Sequence, residues 1–417
     1  MKIFKRYFER NPICCSVDFS NQPKAIVIIP VLDDKDIFET IDSLKACSCQ
    51  EGRVGVIVVV NHGEDASPLV KQANEELAKE LKVRYCEGQM EIENVNVKVI
   101  EAFDISPKWA GVGMARKLAM DAAAFFFYKQ NMPECPILSL DADTLVEENY
   151  LDVVIRYFRE NAVAGVSIAY AHRYESCPEE MADAIIKYEL YLRYYQLALA
   201  YVGHPHAYHC IGSAFAVRAV DYVAQGGMNK RQAGEDFYFL QKLIATGRYA
   251  TLDSTCVYPS ARFSTRTPFG TGQTVRQIVE ECGVYRVYHF AAFRDLKCFF
   301  EGLSTLYQAS QKVCESYFAA QTDELQAFLA DINGLDLVRD ANANSASQLQ
   351  FVKRFFIHFN AFRVLKYLNF VHERSYQKVD IKVAVQDLFK ALELPDQKDN
   401  QACLACLRHV SSSSYKG

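Results

Sequence analysis

Two aspartates one residue apart, Asp141 and Asp143, close a short apolar run, Pro136-Ile-Leu-Ser-Leu-Asp-Ala-Asp-Thr144. Ile137, Leu138 and Leu140 after a proline read as a buried strand. Residues two apart in an extended segment point the same way, so both carboxylates can reach one hard divalent cation and, through it, a diphosphate. Open α/β sheets bind ligands at the edge where such a strand ends. An isolated Asp-x-Asp is more simply explained by acids that cap a helix or face water, so the rest of the chain must decide.

Three other groups carry candidate chemistry. Trp109-Ala-Gly-Val-Gly-Met-Ala-Arg116 opens a helix, where glycines let the backbone approach a ligand closely and Arg116 follows one turn in. Gly234-Glu-Asp236 puts two acids at another helix start, where the helix dipole explains one of them as a cap and leaves the other for a second role. His204-Pro-His-Ala-Tyr-His209 invites metal ligation, although Pro205 and the lack of a nearby carboxylate favour a structural site or a loop beside a groove.

The elements that would position these groups follow from patterning. Ala25 to Pro30 and Val54 to Val60 are continuous β-branched runs of the kind buried on both sheet faces, with helical spacing at Ile37, Ile41 and Leu44 between them. That is a βαβ unit. A helix over Asp65 to Leu81 and a strand over Val95 to Ile100 extend it, and the helix after Trp109 runs through Phe127. Further on, a helix is expected at 149–160, a strand at 164–169, a Tyr-rich helix at 178–202, a strand at 211–218 and a helix after Gly234. Beyond about residue 285 strand patterns give way to helical runs at 296–314, 315–332, 348–370 and 379–392, with a polar interruption at 340–347.

Composition narrows the class. The chain has 417 residues, half of them hydrophobic, enough for one large domain with an appendage or for two domains. A net charge of −5 gives no reason to expect nucleic acid. The 14 cysteines are scattered through apolar segments without zinc-ribbon spacing, which fits reduced thiols and a cytoplasmic setting. No uncharged apolar stretch reaches the ~18 residues a membrane span needs. The aromatic and basic stretch Phe351 to Phe359 leaves peripheral membrane contact open, against ordinary core packing.

Taken in order, Val27-Ile-Ile-Pro30, Val58-Val-Val-Asn61, Gly113-Met-Ala-Arg116, Asp141-Ala-Asp143, Gly212-Ser-Ala-Phe215, Gly226-Gly227 and Gly234-Glu-Asp236 resemble the family 2 nucleotide-sugar glycosyltransferases. The match spans roughly residues 24 to 260. The resemblance implies a GT-A fold, which is a Rossmann-like α/β arrangement with a mostly parallel central sheet flanked by helices. Here it would occupy residues 24–285, after an N-terminal segment at 1–23 and before a helical C-terminal region at 286–417.

It further implies transfer of a sugar, generally with inversion, from a nucleotide-sugar donor to a glycan or lipid-linked acceptor. Mn²⁺ or Mg²⁺ would sit at Asp141 and Asp143, and Asp236 would be the general base beside Glu235. Pro30, Asp33, Asn61, Gly113 and Arg116 would line the donor, with Arg262 and Arg266 closing on its diphosphate in place of the arginine motif of processive relatives. Two departures stand out. Asn61 replaces an acid that commonly ends the second strand, and Val257-Tyr-Pro-Ser-Ala-Arg262 has no histidine to serve as a third metal ligand.

The alternatives are a sugar nucleotidyltransferase and a non-catalytic sugar- or nucleotide-binding relative. Pro30-Val-Leu-Asp-Asp34 lacks the glycine-rich basic signature of the first, and the intact acids argue against the second. Sugar, base, acceptor and oligomeric state are not legible.

Overall fold

The computed structural model describes residues 1–20, 22–87, 94–232, 234–262 and 270–410. They divide into two compact units, Met1–Ser176 with Cys210–Gln273, and Cys177–His209 with Thr274–Gly417.

The first unit is built on an eight-stranded mixed sheet. Its strands are β1 (Ala25–Val31), β2 (Val54–Gly63), β3 (Val95–Ile105), β4 (Pro136–Ser139), β5 (Leu145–Val146), β6 (Gly165–Tyr170), β7 (Phe215–Arg218) and β8 (Tyr249–Tyr258). They lie side by side in the order β3-β2-β1-β4-β7-β6-β8-β5. The β1, β2, β3 and β4 pairings are parallel, as βαβ connections require. β7 runs antiparallel to β4 and β6, whereas β6 and β8 are parallel. The expected α/β sheet is therefore present, with β7 reversed inside it.

Every residue of β1 and β2 is buried, which is why both read as unbroken apolar runs rather than alternations. Pro30 would be out of place inside a fully paired central strand because it lacks an N–H. Here β4 pairs only with Ile26, Val27 and Ile28, so the proline falls beyond the last β1–β4 pair. The chain leaving β4 is thereby free to turn away with its two aspartates.

The helices are α1 (Lys2–Arg10), α2 (Ile37–Ala46), α3 (Pro68–Lys82), α4 (Val112–Lys129), α5 (Tyr150–Glu160), α6 (Glu179–Tyr201), α7 (Ala219–Ala224) and α8 (Glu235–Ile244), of which α6 belongs to the second unit. A buried polar knot docks α1. Asp121 of α4 accepts hydrogen bonds from Tyr7 at 2.7 Å and Tyr222 at 2.6 Å, and pairs with Lys117 at 2.9 Å. The helix expected to open at Trp109 begins at Val112, because the preceding residues form a turn.

The second unit is helical apart from a two-residue antiparallel ladder of Arg286–Val287 with Val379–Asp380. Its long α6 carries Glu189, a fully buried carboxylate. Arg193 donates to it at 2.9 and 2.8 Å, and Arg408, from the helix Asn400–His409, donates from across the unit at 2.9 and 2.8 Å. Paired guanidinium forks are what make such burial tolerable.

His204 is also structural. Its Nε2 lies 2.9 Å from the Phe359 carbonyl, and burial pushes its pKa down to about 3, so it stays neutral. Burial likewise pushes His209 down to about 3. Among the described residues no group of three His, Cys, Asp or Glu is arranged to hold a metal. The helical run expected over 348–370 is two helices, Gln348–His358 and Ala361–Arg374, split where Asn360 caps the second by accepting the Arg363 N–H at 3.1 Å. The polar stretch from 340 is not a break at its start, since Gly334–Ala343 is helical. No helix among the described residues is long and apolar enough to cross a membrane.

The clamp on Glu189 gives a stability expectation. Glu189→Leu removes the carboxylate that two largely buried guanidiniums share and should cost about 3 to 5 kcal/mol, lowering the melting temperature clearly. Breaking the more exposed Lys187–Asp183 pair on the same helix by Lys187→Ala should cost far less. Equal melting temperatures for Glu189→Leu and wild type would show that the clamp contributes nothing.

Candidate active site

The site forms where β4 runs out. Leu140 still donates its N–H to the Ile28 carbonyl at 3.1 Å, after which the chain turns through Asp141, Ala142 and Asp143. Ala142 is buried, and its carbonyl accepts the Thr40 hydroxyl at 2.8 Å. The two flanking aspartates are left partly exposed, by a turn rather than by the strand periodicity that the sequence suggested.

Arg116 is the hub. Its side chain is only 3% exposed, yet it meets three partners: the Ser139 hydroxyl at 3.1 Å, Asp141 at 2.6 Å and the carboxylate of Glu235. Ser139 in turn donates to the Gly212 carbonyl at 2.7 Å. Two glycines make room for this arrangement. A Cβ on Gly212 would stand 2.8 Å from the Arg116 guanidinium, and one on Gly113 would stand 2.0 Å from the Arg231 carbonyl. Neither position tolerates a side chain without displacing its neighbours.

Glu235 and Asp236 sit side by side at the start of α8 but in different surroundings. Glu235 is 2% exposed and bound to Arg116. Asp236 is half-buried, and its carboxyl accepts the Phe237 N–H at 2.7 Å. Burial raises the Asp236 pKa, Arg116 pulls it back and Asp141 raises it further. A carboxylate raised in this way is a better proton acceptor than a free one.

A second cluster gathers around Arg262. Its guanidinium contacts Asp34, Asp36 at 2.7 Å and Asp143 at 3.2 Å. Burial, followed by the charge of Asp141, pushes the Asp143 pKa up to about 7 in spite of Arg262, and Asp34 adds to the rise. Asp34 and Asp36 were not singled out in the sequence. The signal was the acid run Asp33-Asp34-Lys35-Asp36 directly after a strand end. Asp33 takes a left-handed backbone conformation, and its N–H is held by Asn74 at 2.8 Å. Asn74 also donates to the Asn61 carbonyl at 3.2 Å, and the Asn61 amide donates to the Val31 carbonyl at 2.8 Å. Asn61 is thus engaged in tying the ends of β1 and β2 together. Arg266 lies outside the described residues.

Across both clusters, six carboxyls (Asp34, Asp36, Asp141, Asp143, Glu235 and Asp236) face two guanidiniums. A surplus of negative charge is a setting that a hard cation with oxygen ligands favours. Asp36, Asp141 and Asp143 each keep part of their side chain exposed.

The raised Asp143 pKa makes stability depend on pH. The folded chain holds this proton up to about pH 7, whereas the unfolded carboxyl releases it near its ordinary value of 3.8. Between those values the folded form binds the extra proton, so its stability falls as pH rises. In EDTA, Asp143→Asn should melt higher than wild type at pH 8, and the gain should shrink toward pH 5. A gain of the same size at both pH values would mean that Asp143 is ionised throughout.

No protein-family model matches the chain, and no curated protein matches it by sequence. Among solved structures it is similar to S. aureus TarS 1–349 in complex with UDP-GlcNAc, at 14% identity and a TM-score of 0.40, covering 81% of this chain and 93% of that one. It is also similar to the mannosyltransferase PcManGT from Pyrobaculum calidifontis in complex with GDP-Man and Mn²⁺, at 13% identity and a TM-score of 0.35, covering 84% and 91%. A third match is GalNAc-T7 with UDP, GalNAc and Mn²⁺, at 13% identity and a TM-score of 0.35, covering 76% and 55%. Overlap this loose decides nothing about donor, acceptor or metal, which rest on the site's own residues.

Proposed function

We propose that the chain is a family 2-like GT-A glycosyltransferase that moves a sugar, with inversion, from a nucleoside-diphosphate donor to an acceptor hydroxyl. The observation that carries this reading is the convergence of Asp141, Glu235 and the neighbouring Asp236 on the buried Arg116 at the end of β4.

Asp141 and Asp143 would hold Mn²⁺ or Mg²⁺, which when bound supplies Lewis-acid stabilisation of the charge on a departing diphosphate. The remaining roles fall to the chain itself. Pro30, Asp33 and Asn61 close the ends of β1 and β2 on the nucleoside side, and Gly113 lets the start of α4 approach the donor. Arg262 and Arg266 are the candidates for gripping the diphosphate, since bidentate contact with phosphate is what a guanidinium fork does well. Arg262 already carries three acids, so donor phosphates would compete with Asp34, Asp36 and Asp143 for it.

Asp236 accepts the proton of the acceptor hydroxyl. Its raised pKa strengthens it as a base, and the charge of Arg116 opposes that rise. Glu235 acts through Arg116 and is a positioning residue. The division of labour between the adjacent acids follows from their surroundings, because neighbours on a helix diverge by about 100° around its axis.

Incubation with UDP- and GDP-sugars and Mn²⁺ tests the reading. Release of nucleoside diphosphate supports it, formation of nucleoside triphosphate and sugar 1-phosphate on addition of pyrophosphate would make the chain a nucleotidyltransferase, and neither reaction would leave a binding protein. Asp236→Asn should lower turnover about 10²- to 10⁴-fold with little change in donor affinity. Glu235→Gln should weaken donor affinity as Arg116 loses its partner, with a smaller loss of turnover. Near-wild-type turnover in Asp236→Asn, with turnover abolished in Glu235→Gln, would invert the assignment.

A further inference from the structure

The rim of this site carries an aromatic and basic cluster that the transfer chemistry does not use. Trp109, the chain's single tryptophan, is 38% exposed just before α4. The ammonium of Lys108 lies 4.8 Å from its ring centroid, and that of Lys230, from a different loop, lies 5.5 Å away. Next to Lys230, Arg231 stacks on Tyr238 of α8 at 3.8 Å. Among the described residues, none of these three cations forms an ion pair. Three uncompensated cations in one place contrast with a chain whose net charge is −5.

Hydrogen bonds tie the loops that carry the cluster to each other and to the site. Gln232 donates to the Pro107 carbonyl at 2.8 Å, which ties the two loops together. Asn229 donates to the Glu235 carbonyl at 3.2 Å and accepts the Arg231 N–H at 3.2 Å, so the Lys230 loop is fastened to the first residue of α8. The Arg231 carbonyl also presses on Gly113, one turn before Arg116. An exposed indole face offers an apolar platform for the C–H faces of a sugar ring, and flanking ammonium groups favour negative charge beside it.

We infer that Trp109, Lys108 and Lys230 form an acceptor subsite for an anionic glycan, one whose sugar stacks on the indole while its carboxylate or phosphate groups meet the lysines. The acceptor role rests on the transferase reading above. The ligand class rests on the rim alone.

Because Trp109 is the only tryptophan, its emission reports this subsite without any turnover. Wild-type protein is titrated with tetragalacturonate, with maltotetraose as the neutral oligomer of equal length, and with inorganic phosphate. Tetragalacturonate should change the emission with half-saturation at least about tenfold below that of maltotetraose, and raising salt from about 50 to about 500 mM should weaken the response. The preference should disappear in Lys108→Gln/Lys230→Gln and persist in Lys129→Gln, which alters an exposed lysine at the far end of α4.

Equal responses to the charged and neutral oligomers, or none to either, would overturn the proposal. A response to phosphate alone as strong as that to tetragalacturonate would overturn the sugar-stacking half of it. Calorimetry of nucleoside diphosphate with wild-type protein reports separately on the transferase reading. An oligosaccharide response without diphosphate binding would remove that reading and leave the glycan surface standing.

Discussion

A guanidinium taken out of water must bring its counter-charges with it, and the candidate site follows from that requirement at Arg116. Solvation lost on burial is recovered only if carboxylates and hydroxyls meet all sides of the fork. Ser139, Asp141 and Glu235 do so from three separate elements. The Arg116 fork leaves no volume for a side chain at Gly212 and the Arg231 backbone leaves none at Gly113, so two glycines that look like turn formers in the sequence are there for space. The same requirement holds α4, the end of β4 and the start of α8 at fixed separations. That is the geometry a reaction between a donor and an acceptor would need.

The neighbouring acids are shaped by what Arg116 and Arg262 leave unbalanced. Two arginines cannot neutralise six carboxyls, and burial, with Asp141 adding to it, raises the pKa values of Asp143 and Asp236. These are different uses of one imbalance. Asp143 lies beside Asp141 and Asp34, where mutual repulsion favours a bound cation or a retained proton. Asp236 lies closer to Arg116, where desolvation raises basicity while the positive charge keeps the anion accessible.

Much of this was legible from pattern alone. Continuous β-branched runs located β1 and β2, and an apolar run ending in acids located β4 and its aspartates, because burial on both faces and strand periodicity leave direct traces in local sequence. What could not be read was partnership. Arg116 and Glu235 are 119 residues apart, and nothing local to either indicates the other. The Arg262 cluster is more distant still, joining positions 228 residues apart, so Asp34 looked like part of a polar loop. The split at Asn360 escaped for the opposite reason. A cap is one residue, and helical periodicity on both sides of it masks the interruption.

The clamp around Glu189 also has a meaning for how the chain is made. Glu189 and Arg408 are 219 residues apart. Synthesis runs at about 5 to 20 residues per second, so the carboxylate emerges roughly 10 to 40 s before its second guanidinium exists. Throughout that interval α6 has Arg193 within reach, one helical turn away, but lacks the helix that covers it in the finished unit. Completion of the second unit therefore waits on the helix that carries Arg408. Until that helix is made, the face of α6 that it covers is a surface for the cell's folding assistants to shield.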